Sequence, residues 1–144
     1  MIDGSQVTRS DQTRALALST IAFTACFAVW TIFAIIGVAI KKELSLSEFQ
    51  FGLLVATPIL TGSVVRIVLG VWTERYGGRI VFPLQMLAAA ASTYALTFAS
   101  TYPMYLLAAL GIGLSGGSFI IGVAYVSRWY DKGRQGTALG IFGA

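Results

Sequence analysis

One arginine stands where an arginine is expensive. Arg66 lies in a run whose nearest charges are Glu48 before it and Glu74 after it. Read as a helix, it sits roughly 12 Å from the charged end at Glu74, at 1.5 Å per residue. In a bilayer such a position costs at least about 2.5–3.5 kcal/mol, so arginines there face a cavity and mark a pathway. The competing reading is a side chain that snorkels to the headgroups, which suits a residue within a turn of the helix end. On the helical face of Arg66, at i−4, i−3 and i+4, stand Gly62, Ser63 and Gly70. That small, polar stripe suits close helix packing or a solvated passage. A guanidinium fixed there attracts anions, and its planar fork matches a planar oxyanion bidentately. The apolar runs carry no acid to neutralise it.

The other chemistry-bearing types are few. There is no histidine and a single cysteine, Cys26. A histidine metal site, a His general base, a Ser-His-Asp triad and an intrachain disulfide are therefore excluded within this segment. Cys26 reads as a small apolar residue. No metal site or cofactor is expected. The net charge of +4 is scattered through loops, whereas nucleic-acid binding needs it gathered on one face. Gly111-x-Gly113-x-x-Gly116 matches the dinucleotide fingerprint formally, and Asp131 follows at a suitable distance. The fingerprint requires a strand, a tight turn and then a helix, and here it lies inside one uncharged run. Gly113, Gly116, Gly117 and Gly122, with Gly62, read instead as sites of tight helix–helix contact. Phe119 stands among the small residues Ser115, Gly116 and Gly122.

These residues are positioned by helices in lipid. Hydrophobic residues make up 56% of the 144, and charged residues only 11%. The mean hydropathy is +0.78. A soluble domain carries roughly 25% charged residues to wet its surface. No charge lies between Arg14 and Lys41, between Arg79 and Arg128, or after Arg134. A helix needs about 20 apolar residues to cross the hydrocarbon core. The first gap supplies one span and the second, from Ile80 to Ser127, supplies two.

The expected organisation is an all-α, polytopic membrane bundle of four transmembrane helices and the start of a fifth. A polar, mobile segment, residues 1–14, leads into spans at about 15–40, 49–73, 80–99, 104–127 and from 135 to 144. The N-cap of the second span is Ser45 or Ser47. Pro58 kinks that span, while Pro83 and Pro103 fall in first turns, where a missing N–H is harmless. The run from Ala15 to Ile40 is too long for a cleaved signal peptide, and its continuous apolarity does not fit the alternating strands of a barrel. Trp72, Tyr102, Trp129 and Tyr130 fall near span ends, as an aromatic belt does.

Arg9, Arg14, Arg75, Arg79, Arg128, Lys132 and Arg134 fall on one side of this arrangement, against Lys41 and Lys42 on the other. Positive charge marks the cytoplasmic side. The N-terminus and the loops after the second and fourth spans are therefore expected there.

The loop after the second span reads Gly70-Val-Trp-Thr-Glu74-Arg75-Tyr-Gly77-Gly78-Arg79. It resembles the signature between helices 2 and 3 of the major facilitator superfamily, with Glu74 where Asp is usual. Its glycines read as permitting a tight turn, and Glu74, Arg75 and Arg79 as holding the helix ends against neighbours. A closer resemblance is carried by Phe27-Ala-Val-Trp30-Thr-Ile-Phe33, Thr57-Pro58-Ile-Leu-Thr-Gly62-Ser63-Val-Val-Arg66, Gly116-Gly117-Ser118-Phe119 and Arg134-Gln-Gly136-Thr137-Ala-Leu-Gly140. These segments look like the nitrate/nitrite porter family of the NarK type, over roughly residues 20–144.

The resemblance implies a secondary transporter of twelve helices, not an enzyme, in the cell's inner membrane. It would move nitrate or nitrite by alternating access, as proton symport or nitrate/nitrite antiport. One arginine from helix 2 and another from helix 8 would grip the anion. Arg66 matches the first of these. Phe119 matches an aromatic residue of helix 4 that stacks on the planar ion, and Phe33 falls near an aromatic position of helix 1. The partners implied are the anion, a coupling proton, the bilayer and the C-terminal helices of the same carrier. The chain would thus be an N-terminal fragment. The alternatives are a carrier of another small anion such as a carboxylate, and a truncated, non-transporting product.

Overall fold

The computed structural model describes residues 7–144, and every regular element among them is helical. The first rod is α1 (Arg9–Trp30) followed by α2 (Ile32–Glu43), and the second is α3 (Glu48–Tyr76). The third is α4 (Gly78–Leu96). The fourth is α5 (Tyr102–Gly113) and α6 (Ser118–Ser127), joined by a 3-10 turn at Leu114–Gly117. The short α7 (Lys132–Gly143) follows.

Caps decide where these helices begin. Thr8 and Asp11 form a reciprocal capping box, which satisfies first-turn donors. The helix therefore starts inside the polar segment expected to be mobile. That turn is also tied down, because Gln12 Nε2 donates to the Trp129 carbonyl at 2.8 Å and Tyr130 Oη donates to the Gln12 carbonyl at 3.1 Å. The expectation for Met1 to Gln6 lies outside the described residues. Ser47, not Ser45, caps α3, in a second capping box with Gln50.

Two expected continuous spans are interrupted. In the first rod, Thr31 turns its hydroxyl back to the Phe27 and Ala28 carbonyls at 3.1 and 3.2 Å, a bond that bends helices. In the fourth, glycines favour helix least among non-proline residues, and Gly113, Gly116 and Gly117 lie at the 3-10 turn. The Leu114 carbonyl accepts the Gln85 side-chain amide at 2.8 Å.

Neighbouring contacts set the direction of each rod. Gln50 meets Tyr102, Gly62 meets Gly113, and Glu74 meets Arg128, so α3 and the fourth rod run parallel. The first and third rods run antiparallel to the fourth, through Gln12 with Trp129 and through Gln85 with Leu114. Arg14, Arg79 and Arg128 consequently line one cavity at one end of the bundle. At the other end Lys41 pairs with Glu48.

The bundle is apolar outside as well as in. Ile35, Ile67 and Leu87 are 77%, 73% and 67% exposed, as lipid-facing side chains are. Three segments, Arg9–Glu43, Glu48–Tyr76 and Tyr102–Ser127, are long and apolar enough to cross a membrane. The third of the four expected spans, α4, falls outside that set. It has 19 residues, with Arg79 and Gln85 among them.

Candidate anion site

The first, second and fourth rods part around a cavity of about 310 Å³. Its walls are Phe23, Phe27 and Trp30 from α1, Arg66 from α3, Ser115 and Gly116 from the 3-10 turn, and Ser118 and Phe119 from α6. Arg66 is half-buried and donates through Nε to the Gly116 carbonyl at 3.1 Å. Its guanidinium lies over the Trp30 ring, 5.8 Å from the centroid. Trp30 is itself held, because its indole N–H donates to the Pro58 carbonyl at 3.0 Å.

A guanidinium has five donors, and Nε is the one that Arg66 uses among the described residues. The two terminal NH2 groups, which form the bidentate fork, carry no protein partner there. Nor does an acid neutralise the charge, since the ion pair found among the described residues is Lys41 with Glu48. The site therefore offers a positioned cation with open donors between aromatic faces. That combination suits a small planar anion, which charge-assisted hydrogen bonds can hold.

Phe119 is 40% exposed and belongs to the aromatic wall, its ring 5.6 Å from Phe23 and 5.9 Å from Phe142. Phe23 and Phe27 are 5.9 Å apart, and Phe27 and Trp30 5.7 Å. The structure thus brings Arg66 and Phe119 together. It places Phe33 elsewhere, 1% exposed in a separate cluster with Leu46, Leu54, Ala109 and Ile112. Reading the sequence missed Phe23, Phe27, Trp30, Ser118 and Phe142 as neighbours of the site. The i, i+4 and i+3 spacing of Phe23, Phe27 and Trp30 sets them on one helical face, but in a helix apolar all round it does not mark that face as the inner one.

The five packing glycines sit where helices touch. A Cβ on Gly62 would lie 3.1 Å from the Gly113 carbonyl, and one on Gly116 would lie 2.8 Å from the Trp30 indole nitrogen. Gly113 faces Thr61 and Pro58, Gly117 faces Leu69, and Gly122 faces the Phe142 ring. Close approach at Gly62 and Gly116 is what lets the Arg66 side chain reach across to a carbonyl of the facing rod.

In the loop motif, Gly77 has φ +84° and links α3 directly to α4. Gly78 abuts Tyr125, whose Cβ would stand 2.7 Å from an added Cβ. Arg128 Nη2 donates to the backbone carbonyl of Glu74 at 3.3 Å. Arg75 lies over the neighbouring Tyr76 ring, and Arg79 lines the cavity at that end. Gly70 lies against Ile120. A larger groove of about 520 Å³ between α3 and α4 has no charged side chain in its walls, so it offers an anion little.

Helical rods of this order and direction, apolar outside as well as in, form part of a membrane helical bundle. The chain belongs to the Major Facilitator Superfamily, which it matches over residues 18–144. This is a family of transporters and not of enzymes.

Among its relatives, the chain is 45% identical over 136 residues to the probable nitrate/nitrite antiporter NarK1 of Thermus thermophilus. The match covers 94% of this chain and 31% of that protein. It is 33% identical to the probable nitrate/nitrite transporter NarK2 of Mycobacterium tuberculosis, covering 92% of this chain and 34% of the relative. It is 29% identical to the nitrite extrusion protein of Bacillus subtilis, with 90% and 33% covered. The chain thus spans about a third of the length of these curated relatives.

Proposed function

We propose that these helices are the N-terminal part of a carrier that moves nitrate or nitrite across the cell's inner membrane. The observation that carries the reading is the open guanidinium fork of Arg66 inside an aromatic-walled cavity, with no acid among the described residues paired to it. The names printed for the relatives support nitrate and nitrite as the substrate class. Arg66 grips the anion, Phe119 covers one face of it, and a second half of the carrier completes the site. Transport proceeds by rocking one half against the other around a fixed midplane site, as proton symport or as nitrate/nitrite exchange.

The test is uptake by the complete carrier reconstituted in proteoliposomes. Nitrate or nitrite should enter, and each should compete with the other. Uptake of a small carboxylate without uptake of either ion would overturn the reading. Loading the lumen with nitrite or imposing a proton gradient separates exchange from symport.

The orientation belongs to the same proposal. Seven Lys and Arg residues cluster at the end holding the α3–α4 and α6–α7 turns, which supports a cytoplasmic location for that end and for the N-terminus. Single cysteines at Ser45 and Gly133, in a Cys26→Ser background, should label from opposite sides of the membrane. Labelling of both from one side would refute it.

A further inference from the structure

Many serine and threonine hydroxyls in these helices turn back onto a carbonyl of their own helix. Thr57 donates to Leu53, Thr61 to Thr57, Ser63 to Ile59 and Ser127 to Val123, at 2.6–2.9 Å. Ser118 does not. It opens α6, is 1% exposed, and its Oγ is the one buried side-chain polar atom without a hydrogen-bond partner among the described residues.

The carbonyls behind it belong to the 3-10 turn. The carbonyl four residues back belongs to Leu114 and accepts the Gln85 amide at 2.8 Å. The carbonyl three residues back belongs to Ser115 and accepts Ser118's own backbone N–H. The Cys26 thiol lies within side-chain hydrogen-bonding reach of Ser118, but it is a weak acceptor, and it directs its own hydrogen toward Gln85 Oε1 at 3.9 Å. A hydroxyl left unpaired away from water is costly. Such groups persist where a function uses them. Ser118 also lines the cavity that holds Arg66 and Phe119.

We propose that Ser118 donates its hydroxyl hydrogen to the bound planar oxyanion, as the neutral donor beside the charged fork of Arg66. The proposal rests on the reading of this cavity as the anion site. A hydroxyl donates one hydrogen, and nitrate or nitrite offers only acceptors. The ligand therefore satisfies Ser118 as well as the guanidinium. Arg66 supplies attraction for any small anion, and Ser118 adds a neutral hydrogen bond to it.

The experiment uses the purified complete carrier, with nitrate as probe, and reads both thermal unfolding without anion and the nitrate Kd. Ser118→Ala removes an unpaired group, so the anion-free Tm should stay unchanged or rise, while nitrate binds about ten-fold more weakly. Ser118→Cys keeps the size with a weaker donor, and its Kd should fall between wild type and Ser118→Ala. An unchanged nitrate Kd in Ser118→Ala, beside a clear loss in Arg66→Lys, would overturn the role of Ser118 and leave the anion site standing. A lower anion-free Tm in Ser118→Ala would show that the hydroxyl serves the fold, and would overturn it too. No nitrate binding by the wild-type carrier would remove both readings together.

Discussion

The same three rods build two unlike regions. Near the Lys41 end, Phe33, Leu54, Ala109 and Ile112 interlock with no more than 1% exposure, and the Tyr102 hydroxyl closes the seam by donating to the Gln50 carbonyl at 2.9 Å. At the level of Arg66 the same rods leave about 310 Å³ open, lined by a cation's fork and a hydroxyl that find no partner among the described residues. Helices in lipid are held together by close packing and interhelical hydrogen bonds, since lipid tails are as apolar as leucine. An open space with unpaired donors therefore lowers stability, and the closed seam below it carries more of the cohesion. The contrast separates residues that hold the rods together from residues proposed to meet a ligand.

Substitutions at the contacts between rods should have the largest effect. A Cβ on Gly113 would stand 2.5 Å from Thr61 Cβ and 2.9 Å from the Pro58 carbonyl. Gly113→Val should force α3 and α5 apart and leave little folded carrier, as read by monodisperse protein after extraction. Normal yield and uptake would mean that the contact is not needed.

Phe33→Ala should come next, destabilising the carrier by on the order of 3 kcal/mol through the cavity left in a packed seam. Its nitrate affinity should stay at the wild-type value. A large affinity loss without a change in Tm would instead place Phe33 at the ligand.

Phe119→Ala should reverse that pattern. A 40% exposed ring contributes less to cohesion, so Tm should fall less than in Phe33→Ala. Lost stacking on the planar ion should weaken nitrate binding by up to about ten-fold, using the 0.5–1.5 kcal/mol of an aromatic stack. Equal affinities for wild type and variant would take Phe119 out of the site.

The smallest effect on binding belongs to the turn between α3 and α4. Gly78 opens α4, past the end of the helix that carries Arg66, and meets Tyr125 of the fourth rod. Gly78→Val should lower the uptake rate while leaving nitrate affinity within about two-fold. A large affinity loss with normal turnover would contradict that division.

Arg66 was conspicuous in the sequence because a charge inside an apolar run admits few explanations. Phe23, Phe27 and Trp30 were not, for a physical reason. In lipid, the buried and the exposed faces of a helix are both apolar, so periodicity does not mark which face turns inward. Phe33 and Phe27 are alike by that criterion, and only the packing separates them. The rods and their order followed from charge spacing, but the breaks at Thr31 and Leu114–Gly117 did not. Those breaks depend on side-chain hydrogen bonds from Thr31 and Gln85, the second arriving from another rod. The early start of α1 was legible in principle, since Thr8 and Asp11 have capping-box spacing.

The most direct measurement is equilibrium nitrate binding to the purified complete carrier, wild type against Arg66→Lys, with correct folding confirmed for each. Lysine keeps the charge and loses the planar fork. Losing one charge-assisted hydrogen bond, worth roughly 1.5–3 kcal/mol, should weaken binding about ten- to a hundred-fold. Arg66→Ala should be weaker still. Wild-type affinity in a well-folded Arg66→Lys carrier would contradict bidentate recognition, and the same result in Arg66→Ala would remove Arg66 from the site altogether.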